Sequence, residues 1–89
     1  MKQLVLRPSF TRDIKGFKKK HYKFDRLKEI VDELLADEPL KGKHRDRALV
    51  GTLAGYRELH IEQNVLLIYR TERDTLFLIR FGTHDDLFA

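Results

Sequence analysis

The sequence predicts an α+β domain with two N-terminal helices packed on an antiparallel β-sheet, in the order β-α-α-β-β-β. Three observations predict it. Apolar residues recur at helical spacing through the first half of the chain. From residue 56 to residue 81 they alternate or run continuously, as strands do. The linkers inside that second region have the length and chemistry of hairpin turns. At 89 residues, one domain spanning 1–89 is the natural expectation.

The elements follow in order. Residues 2 to 7, KQLVLR, read as a first strand through Leu4, Val5 and Leu6. Pro8-Ser9 ends it, and Ser9 is expected to cap the next helix by accepting from a free backbone N–H. Phe10, Ile14 and Phe17 form one stripe on that helix, weakened slightly by Gly16. A second helix is expected over residues 24 to 36, with Leu27, Ile30, Val31 and Leu34 on one face. Lys28 and Asp32, four apart, can pair outside it. Pro39 stops it, and the close junction of the two helices predicts a hairpin. Residues 40 to 55, punctuated by Gly42, Gly51 and Gly55, read as a loop. Three strands are expected at 56–62, 65–70 and 75–81, the middle one continuous and central. The linkers QN and TERD join them as hairpins.

Composition narrows the function classes. Hydrophobic residues make up 42%, a globular proportion, and cysteine is absent, so no disulfide framework or thiolate metal site exists. No apolar run approaches a membrane span, and Met1-Lys2-Gln3 does not open a signal peptide. The expected setting is the cytoplasm, away from membranes. The formal net charge is +4. The stretch KGFKKKHYKF, residues 15 to 24, is dense in lysine and lacks acids. Interleaved with Phe17, Tyr22 and Phe24, it suits a polyanion such as RNA or DNA. The plainer reading is a solvated helix C-terminus, which favours lysine.

Four side chains resist explanation by packing. His60 interrupts a strand, Arg80 ends one, and His84 and Phe88 lie beyond the last strand. In a meander, His60 and Arg80 fall on strands one apart and can face one cleft. Taken singly, each has an ordinary structural explanation: a solvent-facing histidine, an arginine paired with Asp85 or Asp86, a phenylalanine plugging the sheet.

The combination RDRALVG (45–51), GYRELHIE (55–62), LLIYR (66–70) and RFGTHDDLF (80–88) resembles the YafQ-like branch of the RelE superfamily, toxins of bacterial type II toxin–antitoxin systems. The resemblance runs over nearly the whole chain, and the Arg-x-Gly-Thr-His-x-x-Leu-Phe tail is its most specific piece. It implies the RelE-like fold and a ribosome-dependent mRNA endonuclease silenced by a cognate antitoxin. Toxin and antitoxin would form a hetero-oligomer that binds operator DNA through the antitoxin. The implied chemistry is attack of the RNA 2′-OH on the adjacent phosphate, without metal or cofactor. Histidine suits the proton steps because its pKa lies near working pH. Arginine suits the phosphate because its planar fork meets two oxygens and keeps its charge. An aromatic can hold a base by stacking.

Carried over by position, the resemblance makes His84 the general acid and Arg80 the phosphate-binding residue. His60 is base or orienter. Phe88 stacks on RNA or fixes His84. Arg57 and Lys43 contact the RNA backbone. Two departures matter. Where the family often reads Arg-Asp-His-Ala-Leu, this chain has Arg47, with His44 nearby in a different register. Where the family often reads Pro-Asp-Trp, it has Gln63-Asn64-Val65, and Asn64 can hydrogen-bond but cannot take a proton. Arg47 can still stabilise negative charge, so the expected site is altered and slower. The base is left among His60, His44 and bound water. The competing expectations are a ParE-like gyrase inhibitor of the same fold, a decayed toxin acting only as antitoxin-binding co-repressor, and a plain nucleic-acid-binding domain.

Overall fold

The computed structural model describes residues 2–38 and 44–88. Strand β1 (Gln3–Leu6) leads into α1 (Pro8–Lys19) and α2 (Asp25–Leu35). Then come a two-residue strand β2 (Arg47–Ala48), a 3-10 turn at Gly51–Leu53, β3 (Arg57–Glu62), β4 (Val65–Glu72), β5 (Thr75–Gly82) and a short helix α3 (His84–Phe88). The five strands form one sheet in the order β1-β5-β4-β3-β2. The expected α+β class and element order hold. Three details differ. β1 joins β5 in parallel, so the sheet is mixed. The expected loop contains β2, which pairs antiparallel with β3. The tail folds into α3.

Capping of α1 also differs from the expectation. Arg7 is the N-cap and Pro8 opens the helix, where a missing N–H costs nothing. Ser9 is therefore inside the helix, and its hydroxyl donates to the Ile79 carbonyl at 2.6 Å. Lys28 and Asp32 form no ion pair among the described residues; both line a groove between α1 and α2. Pro39 and Gly42 lie outside the described residues.

The helix-facing side of the sheet carries the core: Leu59, Ile61, Leu67, Tyr69, Leu76, Leu78 and Phe81, with Phe10, Leu27 and Ile30 from the helices. Phe81 is its aromatic centre. Its ring meets Phe17 at 4.8 Å, Tyr22 at 5.8 Å, Phe24 at 6.1 Å and Phe10 at 6.4 Å between centroids. Phe17, Tyr22 and Phe24 thus pack inward and are not stacking platforms for a polyanion. The lysines between them lie at the end of α1, with Lys18 and Lys19 in its last turn, where the helix dipole favours cations. Burying Phe81 also fixes β5 about its own axis. Strand alternation then sends Arg80 and Gly82 to the opposite face.

Candidate functional site

The face opposite the helices is organised in rows across the strands. Antiparallel register aligns Arg47 with Glu58, Glu58 with Ile68, and Ile68 with Arg80. The next row aligns His60 with Leu66 and Leu66 with Gly82. By register His60 and Arg80 fall on the same strand face either side of β4, but they line separate clefts and not the single cleft expected. A band of buried Leu66 and Ile68 separates them. Each also sits beside an irregularity: the β3–β4 register shifts between His60 and Glu62, and the β4–β5 register shifts so that Ile79 is the extra residue before Arg80. Bulges re-aim side chains and interrupt pairing.

His60 opens on a cleft of about 430 Å³ that His44, Arg45 and Arg26 also line. His44 is buried. Arg45 holds a left-handed backbone, φ 50°. Among the described residues, the buried Nδ1 atom of His60 has no hydrogen-bond partner. Burial, then the positive charge of Arg45, holds the His60 pKa below its ordinary value. These effects favour the neutral imidazole, which has one ring nitrogen able to accept a proton.

Arg47 bonds Glu58, whose carboxylate is almost fully buried. This pair stands where the resemblance led to an expectation of histidine chemistry. Asn64 lies in the exposed turn between β3 and β4. Arg57 does not join the others. Its register partner is Tyr69, a core residue, so it belongs to the helix-facing side and pairs there with Asp46 at 3.2 Å. Lys43 lies outside the described residues.

The tail is held by three devices. Gly82 lets α3 fold back closely: a Cβ there would come within 3.0 Å of Asp86 Cβ and 3.1 Å of its Oδ2. Thr83 and Asp86 form a reciprocal cap. The Thr83 amide donates to Asp86 Oδ2 at 3.0 Å, and the Asp86 amide donates to Thr83 Oγ1 at 3.1 Å. These bonds hold the Asp86 carboxyl below the usual range. His84 and Phe88, four apart on α3, then stack obliquely at 5.1 Å between ring centroids. His84 is exposed and Phe88 half-buried. The Phe88 ring thus braces the imidazole.

Arg80 has neither of its expected partners, Asp85 or Asp86, as its ion pair. Its Nε and Nη2 donate to Asp13 of α1 at 2.7 and 3.2 Å. Asp13, Glu58 and the Thr83–Asp86 cap are functional neighbours that the sequence reading missed. Thr83-x-x-Asp86 has the spacing of a capping box. Glu58 stands two before His60, hence on the same strand face. Asp13 is an acid within the Phe10–Ile14–Phe17 stripe, where a buried partner is required.

Among the described residues, no group of three or more His, Cys, Asp or Glu side chains could hold a metal ion. No helix among them is long and apolar enough to cross a membrane.

Comparison with known proteins places this geometry. The chain is 34% identical to the mRNA interferase toxin YafQ of Escherichia coli K12, over 90% of this chain and 88% of that one. Its fold is similar to that of YafQ from E. coli BL21(DE3), with TM-score 0.93 and 29% identity over all of both chains. YafQ in the E. coli DinJ–YafQ complex gives TM-score 0.91 and 30% identity, again over both whole chains. A metal-bound toxin from Helicobacter pylori gives TM-score 0.92 and 33% identity over 99% of this chain and 100% of that one. The model of the family described as YafQ, bacterial toxin of type II toxin–antitoxin system, matches residues 2–89. The chain belongs to the YafQ family of type II toxin–antitoxin toxins.

Proposed function

We propose that this protein is an mRNA endonuclease that cuts message on the ribosome and halts translation. The observation that supports it best is the face just described. His60 lines one cleft with Arg45 and Arg26, Arg80 lines another with Arg12 and Lys20, and on α3 Phe88 packs against His84. A phosphate over Arg80 would meet the guanidinium fork. The 2′-oxygen attacks phosphorus, and the bond to the 5′-oxygen breaks. His84 gives the departing oxygen its proton. His60, neutral at working pH, accepts the 2′ proton or orients the group that does. The products are a 2′,3′-cyclic phosphate upstream and a 5′-hydroxyl downstream. No step requires a metal ion. Phe88 fixes His84, and Arg47 adds positive charge while restrained by Glu58. Asn64, exposed in the β3–β4 turn, contributes hydrogen bonds to the RNA at the margin, while buried His44 backs the His60 cleft.

The protein works in the cytoplasm, bound until needed to a cognate antitoxin that covers its basic face, as DinJ accompanies YafQ in E. coli. That complex binds operator DNA through the antitoxin.

The test is the chemistry of the ends. Message recovered from a translating extract with antitoxin-free toxin should carry new 5′-hydroxyl ends, ligatable only after phosphorylation. Intact message together with broken chromosomal DNA on expression would favour the gyrase-directed activity of the same fold. Intact message with no growth arrest would favour a co-repressor.

A further inference from the structure

The extra residue in β5 creates a problem that α1 solves. β1 stops pairing with β5 at Leu6–Leu78. Beyond that point no strand among the described residues pairs with β5 on this edge, and the β4–β5 register shifts at Ile79. A buried backbone group without a partner costs about 1–3 kcal/mol. Here two backbone groups beside the bulge find partners in one turn of α1. Ser9 Oγ donates to the Ile79 carbonyl at 2.6 Å. The Phe81 amide donates to Asp13 Oδ2 at 2.9 Å. Ser9 and Asp13 are four apart, so they lie on the same helix face. The carboxylate that receives the Phe81 amide also receives Nε and Nη2 of Arg80, the residue between the two clamped positions.

We propose that Ser9 and Asp13 form a clamp on the β5 bulge, and that Asp13 is the positioning residue for Arg80 in the cleavage reaction. This rests on the activity proposed above. A guanidinium has five N–H donors. Asp13 occupies the Nε/Nη2 edge, so the Nη1/Nη2 edge remains free, and that edge is itself a two-pronged fork for phosphate oxygens. The Asp13 side chain is only 16% exposed while that of Arg80 is 37% exposed. The anchor is thus sheltered and the working edge reaches solvent. Arg80 lines a cleft of about 280 Å³ together with Arg12 and Lys20, which would flank an arriving phosphate, and with the carboxylates of Asp13 and Asp86. Without the clamp Arg80 keeps its charge and loses its direction. Misdirection of a charge that acts on the phosphorane lowers the rate more than the binding of message.

The experiment has two readouts on the full chain, freed from its antitoxin. The first needs no cleavage. In nitrogen-15 spectra, the Arg80 Nε–H and the Phe81 amide should exchange slowly with water in wild type, and at least tenfold faster in Asp13→Asn. The second is cleavage of message on saturated ribosomes. Asp13→Asn should lower the saturating rate at least tenfold and leave the half-saturating ribosome concentration within twofold. Adding Asp13→Asn to Arg80→Ala should cost less than a further twofold, because the two act as one unit. Unchanged exchange in Asp13→Asn would overturn the clamp. Faster exchange with an undiminished rate, or full loss in the Arg80→Ala background as well, would overturn the positioning role. Wild type that makes no cuts would overturn the proposed activity, and the positioning role with it, while the exchange data would still decide the clamp.

Discussion

His60 and His84 are the same side chain in two settings. His84 is exposed on α3 and touches Phe88. Replacing it should leave folding intact, so His84→Ala should lower cleavage about 10²–10⁴-fold with an unchanged melting temperature. His60 is partly buried, and burial, then the charge of Arg45, lowers its pKa. Its folded pKa lies below the unfolded value, so the unfolded chain binds the extra proton. The stability gained by keeping it neutral is present above its ordinary value of 6.5 and is lost as pH falls through the lower folded value. Unfolding midpoints measured from about pH 7 to about pH 5 should fall, and the slope should be shallower in His60→Gln. The Arg47–Glu58 pair makes a third case. Its acid side chain is 3% exposed and its base 70%. Arg47→Ala strands a buried carboxylate and should cost about 1–3 kcal/mol in denaturant melts. Adding Glu58→Gln should recover most of it. At this scale the sequence singled out His60, Arg80, His84 and Phe88 as side chains hard to explain by packing, and the structure gives Arg80 a partner in Asp13 and Phe88 one in His84. It hid Asp13 and Glu58, because a carboxylate on a helix or strand looks solvated until its buried partner is known. It misplaced Arg57, although alternation from Leu59 would have put that residue on the helix side.

At the scale of elements, the site depends on two local departures from regular pairing and on the tail they support. β5 delivers Phe81 inward and Arg80 outward, and Gly82 gives α3 room to return. Gly82→Ala would force a Cβ against Asp86 and Leu87. α3 should shift, and cleavage should drop at least tenfold while the sheet, followed by circular dichroism and melting, stays close to wild type. Thr83→Ala removes one half of the cap and should cost about 1 kcal/mol, read as fraying of α3 in amide exchange. The order of the long elements was legible because periodicities of 3.6 and 2 are written in the apolar residues. The parallel seating of β1 was not. Alternation tells which face a residue uses, not which strand is its neighbour or which way that strand runs. β2 and α3 were too short to carry a period, and Pro8 outcompeted Ser9 for the helix start by fixing the first helical residue.

For the whole molecule, one sheet separates two jobs. Its helix side holds a core crowded with aromatics around Phe81. Its other strand face carries Arg47 and His60, Arg80 pairs with Asp13 of α1 from β5, and α3 carries His84. The aromatics among the lysines of residues 15 to 24 therefore serve stability, and under the proposed function the formal charge of +4 would draw the protein to RNA. Binding of antitoxin-free protein to ribosomes should weaken as salt rises, with a linear fall of log affinity against log salt. The most direct measurement of the central claim is primer extension across one message in a cell-free extract. Wild type and His84→Ala would be compared with translation running and with initiation blocked. The account predicts new 5′ ends only with wild type and only in translated message. Equal cutting by His84→Ala, or equal cutting of untranslated message, would contradict it.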